Sequence, residues 1–436
     1  MVDETYDAVI IGAGIIGAAI AFEMAKMGYR TLNIDKLPAA GYGSTGNSCA
    51  VIRTHYSTWD GTAMAYESLH YWRDWANYIE AKDERGIIDY INKGCLIIKS
   101  RHHEADKSLR YHKDLGIEYE QWDSAKLQER VPFFSQDSFW PPRQPEDRRF
   151  WEKPKEKITG AIFTPSSGYI SDPQLATHNL QRAAEVKGGK FMFNKEVVGI
   201  QKSKGRVIGV TLGDGEKIKA SIVVNAAGPH SFVINRLAGV EAGMNIKTRA
   251  LRHEVHFVPS PEGFNYEKDG YLCSDGDAGC YSRPEVGNKI LVGSEDPECD
   301  PKVWIDDPDN YNRDVTMERW KAQVYRFAKR VPSLGIPQKP VGLADLYDVS
   351  DDWIPIYDRA DLDGFYMAVG TSGNQFKNAP VVGLMMATLI DTCENGHDHD
   401  KSPMEMKCKY TGLTLNAGFY SRLREINPES SFSVLG

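Results

Sequence analysis

The stretch YDAVIIGAGIIGAAIAFEMAKMGYRTLNID, residues 6–35, decides the fold. Its apolar run at 8–11 is too short for a helix and ends at once in glycines, the pattern of a strand buried in a parallel sheet. Gly12, Gly14 and Gly17 follow at G-x-G-x-x-G spacing. The first permits a tight turn, the second lets the backbone approach a pyrophosphate, and the third lets the next helix pack closely on its strand. A helix from about Ile15 to Lys26 then stops at Gly28, a residue suited to a C-terminal cap. The N–H groups of its first turn, Ile15 and Ile16 among them, and its dipole favour a diphosphate. Residues 31–34 read as a second strand closed by Asp35, whose carboxylate can accept hydrogen bonds from a ribose diol and repels a 2′-phosphate. Together these features point to a dinucleotide site. The alternative, a tight turn without a ligand, leaves the acid unexplained.

At 436 residues, with 41% apolar residues, the chain can bury a large core and is expected to form two domains. A net charge of −8 disfavours a nucleic-acid surface and points to a small-molecule partner. The seven cysteines form no C-x-x-C pair, so they read as reduced thiols of a cytoplasmic protein. No run of eighteen apolar residues is present, and no membrane span is expected. No set of His, Cys and Asp has convincing metal-ligand spacing, and no nucleophile elbow occurs.

Outward from the first stretch, the small polar loop 41–57 suits the edge of a flat cofactor, and Arg53 stands where a guanidinium can hold a carboxylate by two prongs. Taken alone, an arginine in such a place is more often a surface ion-pair partner. Spacing predicts one amphipathic helix over 63–79 and a strand near 93–100, then helical spacing to about 131. The proline- and charge-rich segment 140–157 reads as an exposed loop or lid. A helix is expected after Asp172, and strands over 191–200, 205–212 and 217–228, the last ending at Ala227 and Gly228 on the cofactor edge. Residues 245–335 alternate like antiparallel strands of a substrate layer. Near the end, the apolar GFYMAVG meets Gly370 and Gly373, and a long apolar helix starts at Ala379 or Pro380. The tail after Asn395 is polar and gives no pattern.

GAGIIG with Asp35, GNSCAVIRTHY, VVNAAGPHS, GLADLYDVSDDWIPI and AVGTSGNQFKNAPVVG, in this order, resemble the sarcosine oxidase and glycine oxidase branch of the FAD-dependent D-amino-acid-oxidase superfamily. The resemblance, which spans about residues 5–392, implies FAD rather than NAD. It implies an α/β fold, with a Rossmann-like FAD-binding domain (1–90, 165–245 and 336–395) and a mixed-sheet α+β substrate domain (91–164 and 246–335). Residues 396–436 are left as a C-terminal extension. It assigns Gly12, Gly14, Gly17, Asp35 and Lys36 to the ADP half, and Ser44, Thr45, Asn47 and Ser48 to the pyrophosphate and flavin. Val198 would face the adenine through its backbone, and Gly370, Gly373, Asn374, Gln375 and Phe376 would approach the flavin ring. Arg53 and Lys377 would clamp the substrate carboxylate, with Tyr281 and Tyr347 walling the pocket.

Departures from the family pattern bear on the chemistry. Asp345 stands where some members attach flavin through cysteine, and Gly46, Asn47 and Ser48 offer no histidine, so non-covalent FAD is expected. The lysine that promotes reaction with oxygen has Lys289 as its nearest counterpart, which on a strand shares a face with Leu291. Arg283, Arg249, Arg252 and His253 could receive a second anion, as in iminodiacetate, or could pair with the chain's own acids. His55 could tune amine protonation or be a structural histidine. The resemblance thus implies oxidation of the C–N bond of a sarcosine-like or N-carboxymethyl amine, with oxygen or another acceptor taking the electrons. Alternatives are a 2-hydroxy-acid or glycerol-3-phosphate dehydrogenase on the same fold, and an electron-passing or non-catalytic subunit of a hetero-oligomer. Homo-oligomers are equally compatible with the sequence.

Overall fold

The computed structural model describes residues 5–102 and 106–435. Strand Thr5–Ile11 lies inside an eight-stranded sheet, parallel to Thr31–Ile34 on one side and to Lys217–Asn225 on the other. Lys190–Met192 extends the parallel set beyond Thr31–Ile34, and Phe365–Val369 joins it beside the end of Lys217–Asn225. Helices Ile15–Lys26, Pro173–Val186 and Ala379–Glu394 lie together on this sheet. The first of them touches protein on nearly all sides, which is why it is apolar all round instead of amphipathic. Close approach is built in by Gly383, where a Cβ would come within 2.7 Å of the Ala19 carbonyl oxygen.

A second, nine-stranded mixed sheet is centred on the long strand Thr248–Pro259, which pairs antiparallel with Lys289–Ser294, Val303–Ile305 and Gly342–Ser350. The hairpin partner Cys280–Glu285 leads on to Leu272–Asp275 and then, in parallel, to Cys95–Lys99. Helix Met317–Arg330 packs on this sheet with two buried arginines. Arg326 grips Asp300 through both carboxylate oxygens at 2.6 and 2.7 Å, and Arg330 reaches Asp275 at 2.7 Å and Asp277 at 3.1 Å. These ion pairs tie the helix to the sheet.

Several expectations are corrected by packing that a single sequence does not display. The helix expected over 63–79 is two, Trp59–Arg73 and Trp75–Ile79, broken at Asp74, and Trp72 stacks on Trp75 across the break at 4.3 Å. The strand expected over 191–200 is also two, since Lys190–Met192 joins the parallel set while Val197–Ser203 turns into an antiparallel hairpin. The domain boundary expected at 336 falls short, because Gly342–Ser350 continues the second sheet before the chain returns to the first. Segment 140–157 contains one short turn, Arg148–Trp151, anchored by Phe150 in a buried site. Polar as it is, the tail after Asn395 buries Met404, Met406, Leu415 and Tyr420 in the core around the first helix. Among the described residues, no helix is long and apolar enough to cross a membrane.

Candidate active site

Between the C-terminal ends of the first sheet's parallel strands and the second sheet lies a cavity of about 590 Å³. One end is the glycine turn. Gly12 takes φ +111°, and a Cβ there would lie 2.3 Å from the Ala226 carbonyl oxygen. A Cβ on Gly17 would meet the Gly12 carbonyl oxygen at 2.2 Å, so this glycine serves helix packing and does not itself line the cavity. Gly14, Ile15 and Ile16 do line it, with Ile15 N–H donating to Thr45 Oγ1 at 3.2 Å. Asp35 accepts from the N–H groups of Ala13 (2.8 Å) and Leu37 (2.9 Å), one on each carboxylate oxygen, which locks the turn and leaves a lone pair on each oxygen for a diol. Lys36 beside it contacts Asp309 and the His230 ring.

Ser44, Thr45, Asn47, Ser48, Ala227 and Gly228 border the middle of the cavity. Asn47 donates to Asp345 at 2.6 Å, and Tyr311 donates to the same carboxylate at 2.9 Å. From the turn after the first-sheet strand Phe365–Val369 come Gly373, Asn374, Gln375, Phe376 and Lys377. Gly370 stands behind them and not on the cavity; its N–H donates to the buried Asp348 at 2.6 Å, which also accepts from Ser231 at the same distance. Burial raises the Asp348 carboxyl to about 7 against these hydrogen bonds. The fit to a dinucleotide rests on three features: the cramped glycine turn, a run of backbone N–H groups at a helix start, and the buried Asn374 Nδ2, which has no hydrogen-bond partner.

The remaining end is cationic and aromatic. Arg53 lies over the Tyr56 ring at 4.7 Å and Lys377 Nζ lies over the same ring at 5.2 Å. Lys377 also donates to Tyr56 Oη at 3.1 Å and to the Asn374 carbonyl at 2.6 Å. Arg53 donates to the carbonyls of His55 and Val434, the latter at 2.6 Å. Burial, reinforced by the Arg53 charge, holds the Lys377 ammonium well below the usual lysine range. Tyr281 and Tyr347 line the same cavity; Tyr281 Oη lies 3.3 Å from Cys49 Sγ, and Tyr347 stacks on His253 at 4.2 Å.

Three groups considered for the site lie off the cavity. Lys289 is exposed at the start of its strand and off the cavity: it shares a face with Gly293, which stands opposite the cavity-lining Tyr281, but it lies four residues further from the cavity end of the strand. Val198 sits at a β-bulge with its side chain exposed, and the cavity edge there is Lys195, Glu196 and Val197. The second-anion arginines are spent elsewhere: Arg252 on Glu254 at 2.6 Å, Arg283 on Glu285 at 2.9 Å, and Arg249 over the Trp304 ring at 4.4 Å. None of the three lines the cavity, although His253 does. His55 is buried outside the cavity, and burial first and then the Arg53 charge keep its ring neutral. Nor does any residue of 140–157 border the cavity, so that loop is no lid over it.

Sequence reading missed four residues. Tyr56, beside Arg53 in RTHY, was open to detection as an aromatic next to a candidate cation. Glu295 closes the apolar strand KILVGS and was detectable as an acid following a buried run. Val434 and Leu435, which bring the tail to Arg53 and line the cavity, carry no local signal at all.

A model of the family described as FAD dependent oxidoreductase matches residues 7–389. The chain is 24% identical over 406 residues to the glycine oxidase of Geobacillus kaustophilus, covering 90% of this chain and 95% of that protein. It is 24% identical over 390 residues to the sarcosine oxidase β subunit of Rhizobium meliloti, covering 88% and 84%. Among solved structures, the L-proline dehydrogenase of P. horikoshii superposes with a TM-score of 0.74 at 21% identity, over 97% of this chain and 98% of that one.

Proposed function

This chain belongs to the FAD dependent oxidoreductase family, and from that premise we propose that it oxidises the C–N bond of a small monocarboxylic amino acid such as glycine, sarcosine or proline. The observation that carries the reading is that Arg53 and Lys377, both packed on the Tyr56 ring, line the cavity that also holds the glycine-turn cradle. FAD bound in that cradle supplies the two-electron acceptor.

The protein's own part is to hold, orient and keep water out. Gly12, Gly14 and the first turn of the helix receive the diphosphate, and Asp35 receives the ribose. Arg53 exchanges neutral carbonyl partners for a substrate carboxylate, and Lys377 recovers its charge when that anion arrives, because an opposite charge favours the protonated amine. Tyr281, Tyr347 and the Val434–Leu435 segment wall the substrate, so its α-carbon is held in one orientation. With Arg249, Arg252 and Arg283 engaged elsewhere, the reading favours one carboxylate over the two of iminodiacetate.

The test is an anaerobic titration of the yellow enzyme with glycine, sarcosine, proline, iminodiacetate and 2-hydroxyglutarate. Bleaching by a monocarboxylic amino acid is expected; bleaching by the hydroxy acid alone would overturn the reading. Readmitted air or an added dye then identifies the acceptor through the return of colour. The likeness to a sarcosine oxidase β subunit supports a second reading, work within a hetero-oligomer. Turnover by the purified lone chain, sized by light scattering, would reject it.

A further inference from the structure

The cavity that gathers Arg53 and Lys377 also contains a buried acid, Glu295, to which nothing above gives a task. It follows strand Lys289–Ser294, and its backbone N–H donates to the Gly279 carbonyl at 3.3 Å. Its place is fixed on both sides by the buried ion pairs of the packing helix. Ser294, one residue before it, donates to Asp300, which Arg326 holds; Ser274, which donates to the Glu295 carboxyl, precedes Asp275, which Arg330 holds. Among the described residues, Ser274 is the only side chain that donates to this carboxyl. The ionisable groups facing Glu295 are Arg53, Asp275, Asp296, and the Cys95 and Cys280 thiols. Of these only Arg53 is cationic, and Asp296 is turned to His253 at 3.3 Å.

A buried carboxyl with one hydrogen bond is costly unless something uses it. A substrate that enters by its carboxylate brings an ammonium group as well, and an ammonium nitrogen has no lone pair with which to form a C=N bond. We propose that Glu295 is the group that receives the substrate's ammonium and takes its proton, a catalytic role that rests on the C–N oxidation reading above. The step balances simply. One N–H bond of the ammonium breaks and one carboxyl O–H bond forms; the freed lone pair then makes C=N as the α-carbon gives up hydride to the two-electron acceptor. Burial, only partly offset by the Ser274 hydrogen bond, raises the ligand-free carboxyl to about 8. Glu295 therefore becomes a competent acceptor as the pH rises through that region, below the ~10 expected for an aliphatic ammonium in water.

The experiment compares the FAD-loaded wild type with Glu295→Gln and Glu295→Asp in anaerobic stopped flow with sarcosine or proline, from pH 6 to 10.5. In the wild type, the bleaching rate constant divided by the apparent Kd should rise through about 8. Glu295→Gln should lower this ratio at pH 7 by ~100-fold or more. Its rise should move toward ~10, so that the deficit shrinks as free amine appears in solution. Glu295→Asp should recover part of the wild-type rise. Two readouts need no turnover. Acetate, which has no amine, should bind the Gln variant at least as tightly as wild type. The infrared difference spectrum on adding sarcosine should show a carboxylic C=O change that the Gln variant lacks. A deficit independent of pH, or none, overturns the proposal. A wild type that no amino acid bleaches overturns the C–N reading and this proposal with it, and is recognised without any variant.

Discussion

Replacing Lys377 by methionine tests the clamp most directly, because the side chain keeps its length while losing its charge. In the structure Lys377 Nζ makes two hydrogen bonds, to Tyr56 Oη and the Asn374 carbonyl, and burial pushes its pKa well below the lysine range. A charge-assisted bond to a carboxylate is worth ~1.5–3 kcal/mol. Against it stands the cost of recharging the amine, ~1.4 kcal/mol for every unit by which its pKa lies under the assay pH. The bond sets the upper bound: Lys377→Met should weaken carboxylate binding by no more than ~1.5–3 kcal/mol, ~10- to 150-fold in Kd, with the recharging cost bringing it down within that limit. The sign of the pH effect follows. Since the folded-state pKa is depressed, raising the pH strips the charge from Lys377, and wild-type carboxylate affinity falls until it approaches that of the variant. The fall near pH 8 caused by ionisation of Glu295 persists in both. The assay is an acetate titration of the FAD-loaded protein followed by flavin absorbance between pH 6 and 9.5. Affinities within threefold of each other at every pH would refute the reasoning.

Arg53→Ala should raise KM for the amino acid by ~30- to 150-fold while leaving FAD content unchanged. The lower part of the range for two charge-assisted bonds applies because the guanidinium already donates to His55 and Val434. In the same variant, limited proteolysis near residue 434 should accelerate, since that carbonyl loses its partner. Gly12→Ala should yield colourless or unfolded protein, its Cβ falling 2.3 Å from a backbone oxygen, whereas Gly14→Ala meets only the Thr45 hydroxyl at 3.0 Å and should lower FAD content modestly; bound FAD per chain and Tm distinguish the two. Acid precipitation of the wild type should leave all the yellow colour in the supernatant, as expected of non-covalent FAD; colour in the pellet would show a covalent bond.

The first 35 residues could be read in full because everything they do is local: a buried strand, a glycine turn and a helix start each leave their own mark within a few positions. The turn around Gly370 and Gly373 was legible for the same reason. Lys289 was not, since alternation tells which residues share a face and not how far along the strand the cavity reaches. Val198 lies one residue beyond the cavity edge at Val197, where a bulge shifts the register, a displacement decided by the partner strand. The arginines expected at a second anion site were found paired within their own sheet, two with acids two residues away, Glu254 and Glu285, and the third over an aromatic ring. The tail was opaque because its value lies in distant contacts. Val434 meets Arg53 across most of the chain, and such a pairing leaves no trace in spacing or composition.

Asp348 carries a mechanical implication. Its strand belongs to the second sheet, yet its carboxyl holds Gly370 N–H at the end of a first-sheet strand and the Ser231 hydroxyl at the start of a helix on that sheet. Swinging the two layers apart would strand a buried carboxyl and a buried amide together, at ~1–3 kcal/mol for each. The molecule is thus riveted at the floor of its own cleft. This contact favours admission and release through side chains and short loops over separation of the layers, and crosslinking the two layers should leave turnover largely intact.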